Sequence, residues 1–259
     1  MMQPSDDQRP AFRATVEYDG TDYAGWQIQT NQPTVQGTLE IALAQVCRET
    51  VRVIGAGRTD AGVHASGQVI RFQSAWRHSL ADLERACNAV LPASVAVREL
   101  ALAAPAFHPR FSARSRHYCY TVWTGPVRSP LRSRFAHYVR QPLDLAALNE
   151  ASACLIGRHD FATFGADPEE KAGRGNTQRT VLQAQWSLTA EEDGACYRFD
   201  IEANAFLRSM VRTLVATLLM VGRGERAPAD VLGLLLAADR RLAAAPAPAC
   251  GLCLVHVRY

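Results

Sequence analysis

The sequence predicts an α+β protein made of two halves with the same order of elements. Three observations predict it. Strand-like alternation and helix-like periodicity take turns along the chain. Their order reads β-α-β-β-α-β and then loosely repeats. The chain, at 259 residues and 48% hydrophobic, is also long enough to bury a core around both halves.

In the first half, residues 12–18 (FRATVEY) alternate apolar and polar, as a half-buried strand does. Thr34 is placed to cap a helix through residue 49, in which Val35, Leu39, Ala42 and Val46 recur at helical spacing. VRVIGA (51–56) and GQVIRFQ (67–73) read as strands. Ser79, with Asp82 three residues on, opens a second helix that Pro92 stops, and VAVREL (95–100) reads as another strand. This is the ferredoxin-like split order.

In the second half, RHYCYTVW (116–123) and RFAHYVR (134–140) read as strands around a turn containing Gly125 and Pro126. Asp144 caps a helix over 145–157. TVLQAQWSLT (180–189) and ACYRFDIEA (195–203) form a hairpin across AEEDG. A helix over 205–222, a shorter one from about 229 and a strand over 252–259 complete the chain. The expected division is a disordered lead-in (1–10), a first half (11–104) and a second half (105–259), joined at AAPAFHP. PEEKAGRGNTQ (168–178) reads as a mobile loop.

Composition narrows the function. No apolar run reaches the roughly 18 residues of a membrane span, and the polar lead-in lacks a signal-peptide core, so a cytoplasmic protein is expected. Seven scattered cysteines argue against a disulfide framework. CGLC (250–253) has no second cysteine pair and reads as two small residues beside the last strand. Net charge is only +3, but Lys171 is the sole lysine, so the positive surface is almost wholly guanidinium. Residues 100–143 carry seven arginines (110, 114, 116, 128, 132, 134, 140) and no acid. Phe111, Tyr118, Tyr120, Trp123, Phe135 and Tyr138 are interleaved with them. Guanidinium planes for phosphate and aromatic faces for bases point to a nucleic-acid partner.

The segment GAGRTDAGVHASGQV (55–69) asks for a chemical reason. Gly57 and Gly62 have P-loop spacing, but Val63 and His64 stand where Lys and Ser/Thr belong. The dinucleotide pattern fails at Asp60, and a strand rather than a helix follows, so no nucleotide cofactor is expected. Asp60 and His64 share a face only on a helix, which these glycines disfavour, and no second ligand cluster exists, so no metal is expected either. Two readings stay open. Asp60 is an Asx-turn residue with Arg58 its exposed neighbour, or the loop keeps a carboxylate beside a guanidinium where another molecule's backbone can approach. A carboxylate attacks or deprotonates only when ionised, and a nearby guanidinium favours that form. The arginine can also hold a phosphate.

AGRTDAGVHASGQV (56–69) resembles the catalytic loop of the tRNA pseudouridine synthase A family. EYDGTDYAGWQIQTNQPTVQGTLEIAL (17–43) is similar to its N-terminal strand, loop and helix. FHPRFSARSRHYCY (107–120) resembles the segment leading to its base-stacking tyrosine, ANAFLRSMVR (203–212) its late helix motif, and DRRLAAAPAPACGLCLVHV (239–257) its C-terminal signature. Cys250 and Cys253 depart from residues common in other members.

The resemblance implies a cofactor-free isomerase that makes pseudouridine at positions 38, 39 and 40 of the tRNA anticodon arm. It implies two ferredoxin-like halves joined into one extended, mainly antiparallel sheet with a basic cleft, and a homodimer. By the same resemblance, Asp60 is the nucleophile or base, Arg58 helps extrude the nucleotide or holds its phosphate, and Arg212 pairs with Asp60. Tyr118 stacks on the flipped uracil. Arg110 and Arg114, with Arg71 behind them, are expected phosphate contacts. Arg208 is expected four residues before Arg212 on the same helix face, where solvation is its ordinary role. His64 and Gln68 are expected to be loop scaffolding. The main rival is a non-catalytic RNA-recognition module, but its aromatic strand signature is absent, since RHYCYTVW lacks the glycine.

Overall fold

The computed structural model describes residues 9–167 and 176–259. Residues 1–8 of the lead-in and 168–175 of the expected loop lie outside the described residues. The described chain is α+β, with mostly antiparallel strand pairing, five α-helices and ten strands among the described residues. Its described residues form two compact units: 9–114 with Leu254–Tyr259, and 115–167 with 176–253.

In the first unit the elements follow as β1 (Ala11–Tyr18), α1 (Val35–Cys47), β2 (Ile54–Gly55), β3 (His64–Gln73), α2 (Leu80–Val90) and β4 (Val95–Leu102). The last strand, β10 (Leu252–Arg258), contributes its residues from Leu254 onward. Strand order is β4-β1-β3-β10, and β1 runs antiparallel to both neighbours, with Phe12 opposite Phe72 and Leu102. The alternation read in residues 12–18 therefore buries Phe12, Ala14, Val16 and Tyr18 on one side. The Phe12 and Phe72 rings stack at 5.3 Å. Thr34 caps α1 by accepting from Gly37 N, and Ser79 caps α2 by accepting from Asp82 N.

The strand expected over 51–56 shrinks to two residues. Glu40 of α1 accepts from Val53 N at 3.0 Å, and Gln36 donates to Val53 O at 3.1 Å. Helix side chains thus take the backbone groups that a longer ladder would need. Residues 103–114 are tied back to this unit by Ala103 N to Ala11 O, Arg114 N to Arg258 O and the Tyr259 hydroxyl to Pro109 O.

The second unit holds β5 (Ser115–Thr124), β6 (His137–Val139), α3 (Leu145–Ala153), β7 (Gly157–Asp160), β8 (Gln178–Glu191), β9 (Gly194–Ala203), α4 (Met210–Gly222) and α5 (Ala229–Ala237). Its strand order is β5-β9-β8-β7, antiparallel throughout, with β6 beside β5. The expected β8–β9 hairpin is present, and Trp186 stacks on Phe199 at 4.9 Å inside it. Three details differ from the sequence reading. β6 runs parallel to β5, because successive turns through 129–136 bring the chain back in the same direction. β7 follows a helix that ends at Ala153, and Gly157 (φ +111°) makes the change of course. α4 begins at Met210 rather than 205, since Ser209 is left-handed (φ +58°) and Arg208 N bonds to Ala166 O. Arg208 consequently precedes the helix and does not share its face with Arg212. Leu214, Val215 and Leu218 are fully buried, so α4 packs as a core helix. Among the described residues, no helix is long and apolar enough to cross a membrane.

Candidate active site

The loop between β2 and β3 is held by backbone and side-chain bonds along most of its length. Gln68, fully buried on β3, accepts from Ala56 N and Gly57 N at 3.1 and 3.3 Å and donates to Gly57 O at 2.8 Å. Thr59, 7% exposed, shares a 2.8 Å hydroxyl–hydroxyl bond with Tyr18, and its carbonyl accepts from Trp26 N at 3.0 Å. Val63 N bonds to Asp60 O and Gly62 N to Tyr23 O, closing the turn after Asp60. Gly25 (φ +100°) lies against it so closely that a Cβ there would sit 2.7 Å from Thr59 O. Against this frame Arg58 is exposed and Asp60 half-buried.

His64 is buried, and its Nδ1 lies 3.0 Å from Gly20 N and 3.2 Å from Asp19 Oδ1. These two contacts ask opposite things of one nitrogen. The amide of Gly20 can only donate, so Nδ1 accepts from it. The Asp19 carboxylate already accepts from Thr21 N and Oγ1. His64 and Gln68 thus hold backbone.

Arg110 and Arg114 are exposed on the segment that follows β4 in the same unit. His108 Nδ1 accepts from both Arg110 N and Phe111 N, the His108 and Phe111 rings lie 4.4 Å apart, and the Arg110 guanidinium sits 5.4 Å from the Phe111 centroid. Arg71 is half-buried on β3, opposite Arg13 and Ile54.

In the second unit Tyr118 lies on β5 opposite Ile201, 8% exposed, with its ring edge-on to Phe206 at 5.1 Å. Phe206 belongs to a non-helical stretch anchored by Asn204, whose side-chain oxygen accepts from Thr180 N and Ala205 N. Arg212 follows in the first turn of α4, half-buried, and donates from Nε to Ala247 O at 2.7 Å, while Ala247 N bonds back to Arg212 O. This reciprocal pair orients the guanidinium. Tyr118 and Arg212 are thereby linked to one stretch, 203–212. The sequence reading missed Tyr18, Thr59, Trp26, Gly25, Asn204 and Phe206. Only the quoted motif blocks mark them, because their partners lie tens of residues away.

The profile of the tRNA pseudouridine synthase family matches residues 14–112 and 151–259. The chain is 42% identical to tRNA pseudouridine synthase A of Syntrophotalea carbinolica, covering 95% of each chain. It is 43% identical to that of Pelobacter propionicus over 96% of this chain and 99% of the relative, and 46% identical to that of Roseiflexus castenholzii over 94% and 88%. A solved dye-decolorizing protein from V. cholerae aligns with 84% of this chain and 87% of its own at 12% identity and a TM-score of 0.18, which supports nothing about the fold. The loop of Asp60 and the matched stretches thus agree: the chain belongs to the tRNA pseudouridine synthase family, whose members are isomerases acting on tRNA.

Proposed function

We propose that this isomerase converts uridine to pseudouridine at positions 38, 39 and 40 of the tRNA anticodon stem-loop, as a cytoplasmic homodimer of two ferredoxin-like halves per chain with a basic cleft. The observation that carries the reading is Asp60, presented half-buried on a loop whose neighbouring backbone is bonded in place, with exposed Arg58 two residues away.

The reaction breaks the N1–C1′ bond, turns the uracil and joins C5 to C1′; C5 loses its proton and N1 gains one. Electrons and atoms balance without an oxidant or energy source. Positive charge develops at C1′ as N1 leaves, and a carboxylate stabilises it as in glycoside cleavage. Asp60 either attacks C1′, forming an ester bond that C5 then displaces, or removes the C2′ proton to give a glycal. A target in a stem must first leave the stack. In this reading Arg58 takes its place or its phosphate, Tyr118 packs on the flipped uracil, Arg212 pairs with Asp60, and Arg110 and Arg114 hold phosphates.

Release of tritium from C5-labelled uridine in transcript tRNA, with pure protein and no additive, tests the proposal. Release is expected; tRNA binding without release would mark a binding module instead.

A further inference from the structure

The residue before Asp60 is held through both its backbone and its side chain. Thr59 uses its carbonyl to accept from Trp26 N and its hydroxyl to bond Tyr18. Tyr18 is 2% exposed and Thr59 7%, so water does not readily replace either partner. Tyr18 ends β1, where the register with β3 shifts between Val16 and Tyr18, and its ring lies 6.1 Å from that of Trp26. Two segments, β1 and the stretch before α1, therefore converge on one residue through three groups: a phenol, an amide and the bare Cα of Gly25. Fold maintenance alone gives little reason to spend a buried hydroxyl pair on a loop that Gln68 already fastens at its start.

We propose that the Tyr18–Thr59 hydrogen bond is a positioning device for the reaction: it sets the backbone angles at Thr59 and so the place of the Asp60 carboxyl relative to the target sugar. Neither residue touches substrate. The inference rests on the reading of Asp60 as the reacting group. Displacement of a reacting group by about 1 Å costs on the order of a hundredfold in rate, while binding made by distant phosphate contacts is untouched. The two effects separate in kinetics.

The test uses the full chain with Tyr18→Phe, Thr59→Val, both together, Thr59→Ser, and Asp60→Asn as reference. Tyr18→Phe and Thr59→Val should each lower kcat by roughly tenfold to a hundredfold with KM for tRNA within about twofold. The double variant should be no worse than the poorer single one, and Thr59→Ser, which keeps the hydroxyl, should recover most of kcat. Thermal unfolding of each variant is followed alongside. Unchanged kcat in both single variants overturns the inference. So does a loss in Thr59→Ser equal to that in Thr59→Val, or a loss that tracks Tm and KM together. Turnover persisting in Asp60→Asn fails the underlying reading instead.

Discussion

Arg110 stands on a turn that the protein itself organises, since His108 Nδ1 accepts two successive amides and Phe111 lies 75% exposed beside it. In the proposed reading its guanidinium neutralises a phosphate from a backbone already fixed in place. Arg110→Ala should weaken tRNA binding and reduce the slope of log affinity against log salt by about one unit. Filter binding over a salt series checks this, and an unchanged slope removes Arg110 from the phosphate contacts. Candidates of this kind stand out in the sequence because their chemistry is local: an acid-free run of arginines, or Asp60 and Arg58 two apart among glycines. Tyr18 and Thr59 do not, because 41 residues separate them and neither residue type is unusual where it stands. The tyrosine alternates correctly as a core residue of β1, and its hydroxyl leaves no trace in a hydrophobic pattern.

Elements with a strong period and a cap formed where the sequence placed them, as with β1, α1 behind Thr34 and α2 behind Ser79. The failures have common causes. β2 is short because Glu40 and Gln36 satisfy Val53, and β7 (GRHD) is too short and polar to show alternation. At α4, Ser209 adopts a conformation unusual for serine that no local rule signals. The β5–β9 pair also carries an electrostatic signature. His117 Nε2 lies 2.8 Å from Asp200 Oδ1, a diagonal neighbour across the strands. That hydrogen bond, more than any other cause, holds the Asp200 carboxyl below its ordinary range. A folded-state value below the unfolded one contributes stability above the unfolded pKa, about 3.9, and loses it as pH falls through the folded value. Asp200→Asn should therefore be less stable than the parent near neutrality and converge on it in acid. Urea midpoints from about pH 6 down to about pH 2.5 check this. A constant gap across that range would remove the pair from the acid response.

Across the whole molecule, the first unit is completed by the C-terminal residues 254–259, and a return of that kind leaves no local periodicity to read. The groups expected to grip RNA are spread over many residues of the chain, whereas the chemistry is assigned to one carboxyl. Substrate binding and turnover should therefore come apart. The decisive measurement compares tritium release with tRNA affinity in Asp60→Asn. The account predicts no detectable release while the dissociation constant stays within about threefold of the parent, a difference below 1 kcal/mol in binding. Near-parental release from that variant would contradict it.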